Sequence, residues 1–532
     1  MKINKLIAGV MAVCVMGFGV PYVNAVADNN CVITASAENE ADYTEGTYEL
    51  LTYKNYGDYI EISKCDKSAT EVVIPSEIDG VPVTIIGNRA FYYCKDLTSV
   101  IIPDSVTGIG NSAFEYCENL KSVIIPDSVT NIGDRAFFNC TNLTSLKIPD
   151  SVTSIGVTAF YYCESLTSIN IPDNLTSISV GEFYGCTNLK SINVSENNKY
   201  YSETEGVLFN KDKTELVRYP IGKDSTKYII PDSVIEIGAS AFSGCSNLTE
   251  IIIHDRVTSI GYNAFANCKN LSSIKIPDSV TTVGVNTFVF CTSLKSVELS
   301  SNIEKIPHEM FYKCSSLESV YIPDSVTEIG YCAFTFCTNL KEIHIPSSVE
   351  KIYCDCFSYC ESLKEISLPD SVTEWHIFAE SEYYGEGGIG TTFGQFFGCS
   401  SLESVKISNG LNSISYQDFG NCLSLKSIVI PESIESIGNY AFMNSNAIEK
   451  ITFLNPECNI SSEAAITREC VIYGYENSTA QEYAEKYNIN FVSLGKAPEK
   501  ETATGDLNGN GSVNIAHAVL LQEYILGRYT LT

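Results

Sequence analysis

"CENLKSVIIPDSVTNIGDRAFFNC", Cys117 to Cys140, is one period of a pattern that governs most of this chain. Cysteines recur every 23 residues at 94, 117, 140, 163 and 186, resume at 245, 268, 291, 314, 337 and 360, and return at 399 and 422. A fixed period in the twenties is the signature of a solenoid in which each unit forms one coil. In "NLKSVII", Leu120, Val123 and Ile125 are spaced to face inward from a short strand. "PDSV" ends that strand, because Pro126 has no N–H for a ladder and Asp127 and Ser128 favour turns. "TNIGDRAFFNC" carries Ile132, Ala136 and Phe137 on the other side of the coil. One unit cannot bury these residues alone, whereas stacked units share a continuous core.

The units resemble the BspA-like class of bacterial leucine-rich repeats, whose hallmark is I-P-x-S-V-x-x-I-G-x-x-A-F-x-x-C. The match runs from about Ile74 to Phe453. It implies a β-rich repeat solenoid of short parallel strands. "NNKYYSETEGVLFNKDKTELVRYP" (Asn197–Pro220) resembles the β-hairpin decoration of that class, and "IYGYENSTAQEYAEKYNINFVSL" (Ile472–Leu494) its C-terminal cap. "YGDYIEISKC" and "ATEVVIPSEIDGVPV" read as strands of an N-terminal cap. The expected organisation is a signal peptide at 1–27, a flexible segment at 28–43 and a cap at 44–90. Repeats follow at 91–453, with an insert at 374–390, then a cap at 454–494, a linker at 495–504 and a tail module at 505–532.

The signal reading rests on Lys2 and Lys5 before an apolar run that ends in small residues at Ala25 and Ala27. No other run approaches the roughly 20 apolar residues of a spanning helix. The expected location is therefore extracellular, as a secreted protein associated at most indirectly with a scaffold or cell surface. Removing two of the 34 basic residues leaves 32 against 64 acidic ones, a net charge near −32. Such a surface repels phosphate backbones and argues against a nucleic-acid partner.

Twenty-one cysteines in an exported chain invite a disulfide framework. Equivalent cysteines of stacked coils, however, lie about 4.8 Å apart with parallel side chains. A disulfide needs a twist near 90° about its S–S bond, which a parallel ladder does not offer. The thirteen periodic cysteines therefore read as buried thiols. Cys332, Cys354, Cys356 and Cys360, near His344, have two readings: a metal cluster, or small core substitutions, since Cys356 takes the alanine place of "AF". Cys458 and Cys470 are spaced to pair with one another near the C-terminal cap.

Catalytic signals are absent. "GEGGIG" (Gly385–Gly390) matches G-x-G-x-x-G formally but has no βαβ unit around it. Neither H-E-x-x-H nor G-x-S-x-G occurs. The chain reads as a non-enzyme, with a carbohydrate-active enzyme the weakest alternative. Binding is the better expectation. Two residues of each strand point away from the core toward the expected concave face. The second of them runs Ile101, Ile124, Lys147, Asn170, Asn193, Ile252, Lys275, Glu298, Tyr321, His344, Ser367, Lys406, Val429. A polysaccharide platform would show rows of aromatics. This mixed column suits a protein or cell-surface partner instead, with Tyr321 and His344 as contact candidates. The insert "EWHIFAESEYYGEGGIG" adds Trp375, His376, Phe378, Tyr383 and Tyr384, either as a contact loop or as a flap over its own repeats.

The tail "GDLNGNGSVNIAHAVLLQEYILG" (Gly505–Gly527) resembles a type I dockerin, the module that docks exported proteins onto cohesins of a cellulosome-like scaffold. That resemblance implies a calcium loop with Asp506, Asn508 and Asn510 as oxygen ligands, Gly511 at the turn, Ser512 as a carbonyl ligand and Asn514 at position nine. Position twelve is His517 where a bidentate carboxylate is expected, which makes the Ca2+ site weak. Only one of a dockerin's two loop–helix halves is present. The implied partner is a cohesin-bearing scaffold of a polysaccharide-degrading system. The alternative is a free or surface-associated adhesin whose tail is vestigial.

Overall fold

The structure, a computed structural model, describes residues 43–179, 181–377 and 393–498. It is a parallel β-solenoid of about 18 turns, as the period predicts. Each coil has three sides. One is a strand of three or four residues, such as Ser122–Ile124, paired in parallel register with Ser99–Ile101 and Ser145–Lys147. The second is a two-residue strand, such as Asn131–Ile132, paired with Gly108–Ile109 and Ser154–Ile155. The third is the turn that carries "AFxxC".

The repeat residues earn their places by contacts between coils. Val129 N–H donates to the carbonyl of Pro126 at 3.1 Å and closes the turn after its long strand, as Val106, Val152 and Val326 do in theirs. The serine of that turn holds the preceding coil: Ser151 Oγ donates to the Val129 carbonyl at 2.6 Å, and Ser325 to Ile303 at 2.6 Å. At Gly133 a Cβ would lie 2.6 Å from the backbone of Asn111 and Gly110, so only glycine permits this approach of coils.

The core is a set of columns along the axis. Phe91, Phe114, Phe137, Phe160 and Phe183 stack with centroids 4.9 to 6.3 Å apart. The column resumes at Tyr219 and runs through Phe242 and Phe265 toward Phe442. Offset stacks of this kind add about 0.5–1.5 kcal/mol per pair beyond the area they bury.

Thr44–Tyr48, Leu51–Asn55 and Ile60–Cys65 form an antiparallel meander, whose last strand pairs in parallel with Val81–Ile86 and starts the stacking. At the other end, helix α1 (Thr479–Tyr487) links Val471–Gly474 to Asn490–Ser493. Its first turn is capped by Ser478, and Asn488 ends it with φ 55°.

The hairpin strands Tyr201–Thr204, Val207–Asn210 and Glu215–Arg218 interrupt the stack. Here the Ile192 N–H donates to Gly206 of the hairpin at 2.9 Å, and Gly222 donates to Leu189 at 2.8 Å. Buried polar residues gather at this joint. Glu182 and Arg218 occupy the alanine places of the coils on either side, in register with Ala159 and Ala241.

Candidate functional site

The outward positions of the long strands form one continuous face. Alternation along each strand buries the middle residue and exposes its neighbours, as in Ser122, Val123 and Ile124. The parallel register then sets equivalent residues side by side. Val73, Ile101 and Ile124 form an in-register row with 62%, 59% and 78% exposure. Ile229 and Ile252 form a second row, 61% and 38% exposed. Between and beyond these lie polar rungs. Asn193 Nδ2 donates to Asn170 Oδ1 at 3.0 Å, and Lys275 pairs with Glu298. Tyr321, 64% exposed, stands directly beside exposed His344.

The expected column is therefore present, and the structure adds Val73 and Ile229 to it. Both belong to strands outside the cysteine-marked units. The signal for them was "VVIP" and "YIIP", which carry the same strand-then-proline sequence.

The expectation for Trp375 is corrected. Its strand Glu374–Ile377 continues the second side of the solenoid, with Trp375 in register with Ile352. The ring is 8% exposed, and Nε1 donates to the Ser413 carbonyl at 2.8 Å. A buried indole with a satisfied N–H is a core residue, not a contact aromatic. His376 lies in the same strand. Phe378, Tyr383 and Tyr384 lie outside the described residues, as do Asp506, Asn508, Asn510, Ser512 and Asn514.

All nineteen described cysteines are free and buried. Cys458 and Cys470 are thus not joined, contrary to the pairing expected from their spacing. His344 is not brought to the cysteine group: it sits on the exposed strand face, whereas Cys354, Cys356 and Cys360 lie in the core. Among the described residues, no group of three or more His, Cys, Asp or Glu is arranged to hold a metal ion.

Two buried ionisable groups were not anticipated. Glu182 is 2% exposed; burial pushes its carboxyl up to about 8 although Oε1 accepts from the Phe160 N–H at 2.9 Å. Arg218 donates to the carbonyls of Ser240 and Ser243, and burial lowers its pKa. Both sit at the hairpin joint rather than in an open cleft, so they shape the fold.

No helix among the described residues is long and apolar enough to cross a membrane. No curated protein matches the chain. Solved structures do. A leucine-rich repeat protein from Eubacterium ventriosum is 25% identical, with TM-score 0.45, over 75% of this chain and 95% of that one. A leucine rich cell surface protein from Faecalibacterium prausnitzii is 29% identical, with TM-score 0.42, over 65% and 97%. One from Bacteroides ovatus is 23% identical, with TM-score 0.42, over 85% and 98%. The model of the BspA type leucine rich repeat region matches residues 84–205, 222–341, 304–379 and 392–471. The chain therefore belongs to the BspA type leucine rich repeat family.

Proposed function

We propose that this is an exported, non-catalytic recognition protein that binds a protein or cell-surface partner through its long-strand face. The observation that carries the reading is the row Val73–Ile101–Ile124, three β-branched side chains left largely in water on adjacent strands. Scattered exposed apolar residues need no explanation, but a contiguous row rimmed by serine and lysine is the composition of a contact patch. Tyr321 beside His344 is a second contact point on the same face.

The test compares immobilised full chain with the Ile101→Glu/Ile124→Glu double variant against secreted and surface proteins. A species retained by the first, lost at least tenfold by the second, and released at unchanged melting temperature supports the reading. Identical retention by both overturns it.

A second arm of the proposal is recruitment through the tail. It rests on the loop Asp506–Asn514 and the helix sequence after it, and it names a cohesin-bearing scaffold as partner. Pull-down of cohesins by the full chain and by a chain ending at Thr504, with and without calcium, tests it. Equal capture by the two chains, or none, overturns this arm of the proposal.

A further inference from the structure

Two sulfurs meet where the N-terminal cap joins the first repeat. In the regular coils the phenylalanine of "AF" donates its N–H to the alanine carbonyl of the next coil, as Phe91 does to Ala113 at 2.7 Å and Phe114 to Ala136 at 2.8 Å. Ahead of the first repeat the same bond runs from the Cys65 N–H to the Ala90 carbonyl at 2.7 Å. Cys65, the last residue of the cap strand Ile60–Cys65, thus stands at the head of the phenylalanine column, one coil before Phe91.

The thiol of Cys94 reaches it there. Later periodic cysteines donate to the carbonyl of a phenylalanine one coil back, as Cys117 does to Phe91 at 3.1 Å and Cys140 to Phe114 at 3.2 Å. Behind Cys94 the column holds Cys65 in place of a phenylalanine. Cys94 Sγ lies 3.9 Å from the Asp66 carbonyl oxygen, to which Cys65 Sγ also donates at 3.5 Å. The two thiols are hydrogen-bonded to each other, which lowers the pKa of Cys94 and raises that of Cys65, and nearby Lys67 lowers Cys94 further. Equivalent cysteines of a ladder point in parallel, which disfavours a disulfide. Cys65 and Cys94 are not equivalent: one takes the phenylalanine place and the other the cysteine place further along the coil, so their side chains converge on one oxygen. Both sulfurs are buried, but the turn against which they rest, Asp66 to Ser68, is exposed. Opening of that one turn uncovers them.

We propose that Cys65 and Cys94 are a dithiol that a low-molecular-weight disulfide oxidises to an intramolecular disulfide, fastening the N-terminal cap to the first repeat. The Cys94 thiolate attacks one sulfur of the external disulfide, forms a mixed disulfide and expels one thiolate. The Cys65 thiol then gives its proton to solvent and attacks the Cys94 sulfur, and the second external thiolate leaves. Two protein thiols are oxidised, and one external disulfide is reduced to two thiols. The new bond encloses Glu71–Val73 and Val81–Ile86, where the antiparallel cap gives way to the parallel stack. It therefore restrains the end of the solenoid, where a terminal coil has a neighbour on one side only. The proposal is independent of the strand-face reading.

The experiment incubates the reduced full chain with oxidised glutathione, both folded and during refolding from denaturant. Remaining thiols are then alkylated in denaturant and the peptides are mapped by mass spectrometry. A Cys65–Cys94 link that dithiothreitol removes, with the other periodic cysteines recovered as alkylated thiols, is the expected result. In Cys65→Ala, Cys94 should instead retain one glutathione. Hydrogen exchange in residues 44–65 of the unmodified chain should slow at least tenfold once the link forms. Absence of the link in both incubations overturns the proposal, as does a link from Cys94 to Cys31 in its stead. A link that leaves exchange in 44–65 unchanged overturns the fastening of the cap.

Discussion

The thiol of Cys140 donates to the backbone carbonyl of Phe114, 26 residues earlier, at 3.2 Å. Cys163 repeats the bond to Phe137 at 3.2 Å and Cys291 to Phe265 at 3.0 Å. The periodic cysteine is thus a small apolar filler whose thiol adds a second donor to a carbonyl that already accepts from the backbone, as Phe114 does from the Cys117 N–H at 3.1 Å. Burial raises the thiols of Cys140, Cys163 and Cys291, and that of Cys399 to about 12, whereas a hydrogen bond from Cys65 lowers Cys94. At pH 8 the periodic cysteines other than Cys94 should resist a thiol reagent in the native protein and react fully in denaturant. Rapid native labelling of Cys140 or Cys291 would contradict this arrangement.

Phe265 stacks between Phe242 and Phe288, with centroids 5.4 Å away on each side. Phe265→Ala should cost about 3–5 kcal/mol, and Phe265→Leu less than half of that. Because each coil touches only its neighbours, hydrogen exchange should accelerate around 242–288 and stay unchanged near Phe114. Uniform acceleration along the chain would show the array to be one cooperative unit.

Trp375 is the only tryptophan and is buried against Phe396. Its emission should be blue-shifted and poorly quenched by acrylamide, and unfolding of the coils around it should shift it to the red. Free quenching in the native state would place the ring in solvent.

Glu182 gives a signed pH dependence. Its folded carboxyl titrates near 8 against an ordinary value of 4.5, so the folded state holds the proton more tightly. The stability this contributes is complete below about pH 4.5 and is lost as pH rises through about 8. Glu182→Gln keeps the acceptor for Phe160 and removes the charge. The variant's melting-temperature advantage over the unmodified protein should therefore grow between pH 5 and pH 9. An advantage independent of pH would mean that the carboxyl is not buried neutral.

In the tail, His517 occupies the place of the carboxylate that a calcium loop uses in bidentate fashion. His517→Glu in the full chain should tighten calcium binding at least tenfold by calorimetry, and Asp506→Ala should remove it. Unchanged heats in both variants would deny the loop a calcium role.

The period made the coil legible because one register fixes Leu120, Ile132, Phe137 and Cys140 together. The same register contained the correction for Trp375, which stands 23 residues after Ile352 and so belongs inside. Its neighbours belong to an irregular, aromatic stretch in which the 23-residue register is not visible. Cys458 and Cys470 misled through proximity in sequence, which says little about the direction of side chains in a stack. Glu182 and Arg218 gave no periodic signal, since they break the alanine rule only where the hairpin breaks the stack.

That hairpin also bears on what happens under tension. A coil that peels away exchanges a rise of about 4.8 Å for roughly 75 Å of extended chain. Stacking bonds such as Ile132 to Gly156 rupture one rung at a time. At Ile192 and Gly206 the rungs give way to the hairpin, whose antiparallel strands resist shear differently. A molecule anchored at one end and loaded at the other would lengthen in even steps, stall at this seam, and then lengthen again, behaving as two springs in series.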